Sequence, residues 1–369
     1  MINRILATVI LLVVRPAPSI NAWTKRDNAH GKTIIAYYAS RQWYNHKSLS
    51  KPSNHDHLKV TWYNFAFFQI NKEGDICDPI ILLGEDDWSA SDASPKTCSW
   101  GSPGGPPACA ARKPETGLIF QAHEAGVEVY PSIGGWTLSN DFPASAADPM
   151  ARAKFANNCV ELIKAYDFDG IDIDWEYPGY VDHMGTPEDT VNYSLFLSEI
   201  KAALDGLGQT TGRSYGLTAA LPCGPNNIQN IQVDVVSGIL DELNLMTYDF
   251  HGSVHLNTLL ACMMCLSLPH LPSFVFIISS QKRMWDTVTG PNAPIYDFSP
   301  NFSLHSCVNM WTKGGGRVDQ INIGLPLYGR SFAGSDLTGF GKEFDGKADG
   351  VTWSADEGSP QCKFSSVPS

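Results

Sequence analysis

The densest chemistry in the chain lies in the run FDGIDIDWEYPG at 168–179, where Asp172, Asp174 and Glu176 fall at every second position with Ile171, Ile173 and Trp175 between them. Alternate residues of a β-strand share a face, so the three acids line one side and the apolar residues the other. At roughly 3.3 Å per residue the acids climb about 13 Å towards the C-terminal end of the strand. Carboxylates crowded on an enclosed face are costly unless they share protons or accept hydrogen bonds, and crowding raises at least one pKa, as a general acid requires. A calcium loop also alternates acids, but it places polar residues and glycine between them, not Ile, Ile and Trp. The same aromatic and apolar neighbours argue against a solvated strand face.

A strand of this kind needs elements around it. Short apolar, β-branched or aromatic runs recur at 32–40, 61–70, 128–135, 168–178, 214–222, 240–250 and 318–332. Helical spacing occupies stretches between them, notably 150–166 and 194–207, the second offering Leu195, Leu197, Ile200, Leu204 and Leu207 for one broad apolar face. Alternating βα units predict a parallel sheet, and seven or eight of them fit an α/β TIM (β/α)8 barrel better than a doubly wound sheet. In such a barrel the C-terminal strand ends form the catalytic mouth. Residues 84–115, rich in Gly, Pro, Ser, Asp and Cys, read as a long excursion after the second strand.

Composition narrows the classes of partner. With 369 residues, 43% hydrophobic and 11% aromatic, the chain has ample material for a packed core and is not a disordered protein. Lys and Arg number 26 against 38 acids, a net charge of −12 without any basic block, which argues against nucleic acid or an anionic membrane as partner. The apolar run Ile5–Val14 behind Arg4, followed by small residues to Ala22, predicts a signal peptide over 1–22 and a secreted, extracellular protein whose folded part occupies 23–369. The sequons at Asn192 and Asn301 agree with export.

Nine cysteines are spread along the chain, and export predicts disulfides among them, with Cys77, Cys98 and Cys109 as a local set. Cys262 and Cys265 have a metal-like spacing, but no second pair accompanies them, so no metal site is expected. Residues 254–284 carry only Lys282 and Arg283 as charges. Pro269 and Pro272 lie inside this stretch, and a membrane span there would tear the barrel, so none is expected.

The run from Asp169 to Glu176 resembles the DGxDxDxE signature of family 18 glycoside hydrolases, the chitinases and their relatives. Four further motifs stand in that family's order: AYY at 36–38 on the first strand, SIGGW at 132–136 on the third, MTYDFHG at 246–252 on the sixth and LPLYGRSF at 325–332 on the seventh. The resemblance covers about residues 32–340. It implies a chitinase-type TIM barrel and a monomeric, cofactor-free, endochitinase-type hydrolase acting on the β-1,4-N-acetylglucosamine links of chitin or its oligosaccharides.

It also implies roles. Glu176 would be the general acid, while the substrate's own acetamide carbonyl attacks C1 in place of a carboxylate nucleophile. Asp174 would hold the acetamide N–H, with Asp172 beneath it as a proton-sharing partner. Tyr248 would bond the acetamide oxygen and Asp249 the sugar hydroxyls. Tyr37, Phe67, Gly135, Trp136, Tyr177, Met246, Tyr328 and Arg330 would form the floor and walls of the sugar subsites. The rival from another class is a chitin-binding lectin without turnover, and such relatives usually lack the acid that this chain keeps at Glu176.

Two departures from the family pattern stand out. Members pass almost directly from the HG of the sixth-strand motif into a segment like 285–296, whereas here 254–284 intervenes; removing it restores the pattern, so it reads as a retained intron or gene-model error. The family also closes its barrel with an eighth strand after a small α+β insertion. Residues 333–369 read as the start of that insertion, and the eighth strand is expected to be missing, with two strand edges left unpaired.

Overall fold

Each apolar run between the predicted helices forms a strand. The computed structural model describes residues 8–12, 33–39, 52–77, 117–252, 286, 288–330, 332, 339–343, 355–356 and 359–363. The atypical stretch 254–284, Cys98, Cys109, all of 84–115 and most of 333–369 lie outside them. The strands are β1 (Thr8–Leu12), β2 (Ile34–Ala39), β3 (Trp62–Ile70), β4 (Ile76–Cys77), β5 (Glu128–Gly134), β6 (Gly170–Asp174), β7 (Gly216–Leu221), β8 (Glu242–Leu245), β9 (Ile321–Leu325), β10 (Tyr328–Arg330), β11 (Ala355–Asp356) and β12 (Ser359–Lys363). The helices are α1 (Leu118–Glu124), α2 (Phe142–Ala147), α3 (Pro149–Tyr166), α4 (Asp189–Thr211), α5 (Pro225–Ile228), α6 (Val233–Ile239) and α7 (Leu304–Lys313).

The chain divides into two units, Met1–Tyr248 with Ala293–Leu327 and Asp249–Asn292 with Tyr328–Ser369. In the first, β2, β3, β5, β6, β7, β8 and β9 are successive parallel neighbours. All seven predicted strands are therefore present and parallel. No eighth parallel strand occurs among the described residues. The place between β9 and β2 is taken by β1, which runs antiparallel to both and pairs Ile10 with Leu325 and with Ala36. The hydrogen-bonding edges that a seven-stranded barrel leaves open are satisfied in this way. The second unit has its own small sheet, in which β12 lies between β10 and β11.

Side chains of β6 sort by parity. Ile171, Ile173 and Trp175 are buried on the outer face; the Trp175 ring stacks on Phe142 of α2 at 5.3 Å and meets Tyr193 of α4 edge-on at 5.5 Å. The inner face carries the acids. Inside the barrel, Ile35, Tyr37, Trp62, Ala66, Tyr130 and Ala220 form a cluster against which Phe67 and Met246 pack. The helix at 149–166 begins with Asp148 accepting the Met150 N–H at 3.0 Å and stops at Asp167, whose φ of 61° is left-handed. A disulfide joins Cys223, after β7, to Cys307 on α7. No helix among the described residues is long and apolar enough to cross a membrane.

The entry to β6 is fixed by charge. Asp169 accepts from the Val129 N–H at 2.8 Å, His123 Nε2 at 2.8 Å and Arg213 Nη2 at 2.8 Å, while Arg213 Nη1 holds Asp167 at 2.6 Å. Burial alone would lower the His123 pKa, but the hydrogen bond to Asp169 and the charges of Asp169 and Asp167 raise it on balance. A raised histidine pKa contributes stability that is full below the unfolded value of about 6.5 and is lost as pH climbs through the folded value. The melting-temperature gap between wild type and His123→Gln is therefore expected to shrink as pH rises from about 6.5. A gap that stays constant with pH would show that the histidine charge does not stabilise the fold.

Candidate active site

Register brings polar side chains to the height of the first acid. Ser132 on β5 and Thr218 on β7 are the strand partners of Asp172. Their hydroxyls donate to it at 2.7 Å and 2.5 Å, and the carboxylate also accepts from the Tyr37 hydroxyl at 3.0 Å and the Asn244 amide at 3.3 Å. Four donors match the capacity of an ionised carboxylate. Burial raises the Asp172 pKa, and each of the four bonds pulls it back.

Asp174, two residues on, is also buried, but its Oδ1 has no hydrogen-bond partner. Burial, then the charges of Glu176 and Asp172, push its pKa well above the usual carboxylate range. The four donors on Asp172 offset part of its burial cost, whereas nothing offsets that of Asp174 Oδ1, so of the two carboxyls Asp174 is the one whose ionisation the site opposes more. Tyr37 is driven far up by burial and by Asp172 and Asp174.

Glu176 stands just past the strand end, half-buried. Its backbone N–H donates to Ser139 Oγ at 2.9 Å and its carbonyl accepts from His183 Nδ1 at 2.6 Å. Ser139 Oγ donates in turn to the Gly135 carbonyl at 2.9 Å. Gly135 has a φ of 91°, a conformation that favours glycine, and its N–H donates to the Asp174 carbonyl at 2.7 Å. A side chain there would press on the Phe67 ring from 3.1 Å. The turn after the third parallel strand thus grips the end of the acid strand through backbone contacts.

Aromatic groups surround Glu176. Trp136 is 50% exposed, and its ring lies 6.4 Å from Tyr177, 5.6 Å from Tyr180 and 4.5 Å from His183. Burial and the neighbouring Glu176, Asp174 and Tyr248 all push the Tyr177 hydroxyl up, so each of the three lies within electrostatic reach of Tyr177. Gly324 on β9 makes room for Tyr248: a Cβ at 324 would lie 2.6 Å from the tyrosine ring. Asp189 of α4 accepts the N–H groups of Gly179 at 2.9 Å and Thr186 at 3.0 Å, holding the loop that carries Tyr180 and His183.

Of the candidates named from sequence, Tyr37, Phe67, Gly135, Trp136, Asp172, Asp174, Glu176, Tyr177, Met246 and Tyr248 belong to the first unit, and Asp249, Tyr328 and Arg330 to the second. Within the second unit Arg330 grips Asp249 with Nε at 2.8 Å and Nη2 at 2.5 Å, its guanidinium 5.5 Å above the Tyr328 ring. Sequence reasoning missed Ser132, Ser139, Thr218, Asn244 and His183 as contributors. Thr218 and Asn244 were detectable, since they alternate with buried Leu217, Ala219, Leu243 and Leu245. Ser139 caps the 3-10 turn Trp136–Leu138 and His183 ends the 3-10 turn Val181–His183, segments too short to carry a periodic signal.

A family profile described as glycosyl hydrolases family 18 matches residues 33–361. The chain is 33% identical over 225 residues to endochitinase 1 of Metarhizium anisopliae, covering 59% of this chain and 44% of that one. It is 26% identical over 373 residues to chitinase A1 of Niallia circulans, covering 91% and 48%. It therefore spans about half the length of the curated relatives it matches. Among solved structures, chitinase ChiA74 from Bacillus thuringiensis aligns with a TM-score of 0.61 at 25% identity, covering 89% of this chain and 52% of that one. The Ostrinia furnacalis Group IV chitinase shares the fold, with a TM-score of 0.65 at 22% identity over 89% of this chain and 76% of its own.

Proposed function

The chain belongs to glycosyl hydrolases family 18, and from that membership and its carboxylate stack we propose that it is a secreted, monomeric chitinase that cleaves β-1,4-linked N-acetylglucosamine with retention at the anomeric carbon. The observation that carries this reading is Asp174, buried between Asp172 and Glu176 at the C-terminal end of a parallel strand and pushed well above the usual carboxylate range. The first half-reaction breaks the glycosidic bond. The acetamide oxygen of the sugar attacks C1, the leaving oxygen takes the Glu176 proton, and a cyclic oxazolinium ion forms. Asp174 accepts the acetamide N–H through a carboxyl oxygen, and the negative charge that the four donors hold on Asp172 beneath it stabilises the positive charge as it develops. Water then attacks C1 from the vacated side, giving its proton to the Glu176 carboxylate and restoring the acetamide. Tyr248 steadies the acetamide oxygen, and Trp136 and Tyr177 present flat faces to the sugar rings.

A substrate that supplies its own nucleophile gives a direct test. Oligosaccharides of N-acetylglucosamine are expected to be hydrolysed and fully deacetylated ones to be left intact. Hydrolysis of both at similar rates would remove the acetamide from the mechanism, and binding without turnover would favour the lectin reading. Export is checked by sequencing the amino terminus of protein recovered from the medium. A start at residue 23 supports removal of 1–22 and with it β1, whereas retention of Thr8–Leu12 would make β1 a permanent barrel strand and end the leader reading.

A further inference from the structure

The support of Asp172 continues below the catalytic groups. Its donor Asn244 has its own carbonyl oxygen engaged, because Oδ1 accepts from Asn322 Nδ2 at 2.7 Å. The same Asn322 nitrogen gives its second hydrogen to Glu242 Oε2 at 3.2 Å. Glu242, Asn244 and Asn322 are all buried, on adjacent strands in which Asn244 and Asn322 are register partners. The three side chains form one directed row, from Glu242 through Asn322 and Asn244 to Asp172.

Direction is what the row supplies. An amide can face a carboxylate with its NH2 or its oxygen, and only the NH2 stabilises an anion. Asn322 cannot flip at low cost, since its oxygen would then confront both Glu242 and the Asn244 carbonyl. Asn322 Oδ1 meanwhile has no hydrogen-bond partner, so nothing on that side competes for the orientation. We propose that Asn322 is a positioning residue of the active site, held by Glu242 so that it fixes the Asn244 amide as a donor to Asp172. The role rests on the catalytic assignment of Asp172, Asp174 and Glu176. The titratable groups within reach of Asp172 are Tyr37 of β2, Asp174 of β6 and Tyr193 of α4, and the substitutions below leave all of them in place.

Asn322→Ala, and Asn322→Leu as a volume-filling second variant, are tested by the pH profile of kcat/KM on chitin oligosaccharides, with thermal melts to confirm folding. Freed from Asn322, Asn244 no longer presents its NH2 at all times, so the acid limb should move up by about one pH unit. In an Asn244→Ala background, Asn322→Ala should add no further shift, because the donor it positions is gone. An unmoved limb in both folded variants, with Glu176→Gln inactive, would overturn the inference and leave the reaction assignment intact. So would an equal shift in the Asn244→Ala background. An active Glu176→Gln would instead overturn the reaction assignment on which the inference rests.

Discussion

Glu176→Gln is expected to lower kcat on chitin oligosaccharides by about a hundred- to ten-thousand-fold, with KM changed little. The substitution keeps the shape of the side chain and leaves the backbone bonds to Ser139 and His183 in place, so the melting temperature should hold. It removes only the transferable proton, which is used in the transition state and contributes little to ground-state binding. The dependence on leaving group provides an internal control. A nitrophenol departs without full protonation, so the loss on a nitrophenyl glycoside should be markedly smaller than on the natural linkage. Equal losses on both substrates would mean that the substitution damages the site in some other way, and full activity would remove Glu176 from the acid role.

Much of the scaffold was legible because β-strand parity leaves a strong mark on the sequence. Ile171, Ile173 and Trp175 against Asp172, Asp174 and Glu176 is a two-residue alternation with nothing to blur it, and the structure places the two sets on opposite faces. The predicted helix at 150–166 begins one residue earlier at Pro149, a position that suits proline because its missing N–H is not needed there. Closure of the barrel was not legible. Thr8–Leu12 reads as the apolar centre of a leader, and its antiparallel pairing answers unpaired edges on strands more than 20 and 300 residues away. The acids were visible; parity also marks Thr218 and Asn244 as polar residues on the opposite face from Leu217, Ala219, Leu243 and Leu245, but only register places them beside Asp172. Ser139 is further still from any sequence rule. Its role depends on a turn whose shape is set by Gly134 and Gly135, at φ of 116° and 91°.

Asp174→Asn should move activity and stability in opposite directions. The resting site favours an ionised Asp172 over an ionised Asp174, because Asp172 accepts four hydrogen bonds while Asp174 Oδ1 accepts none. During the reaction Asp174 has to face a developing positive charge as an acceptor, which an amide does poorly, so kcat is expected to fall by about a hundred- to a thousand-fold. Stability follows from the same shift. Burial and the charges of Glu176 and Asp172 raise the folded pKa of Asp174 well above its unfolded value, so the unfolded chain releases this proton first as pH rises. The folded state is therefore penalised increasingly as pH climbs above about 4 towards the folded pKa. Asparagine cannot ionise and escapes that penalty. The variant is expected to melt higher than wild type at neutral pH, with the difference closing as pH falls towards about 4. Calorimetry at both pH values, alongside turnover, checks the two signs together. A variant that is both slower and less stable at neutral pH would mean that Asp174 serves the fold, and the strain assigned to the carboxylate stack would not exist.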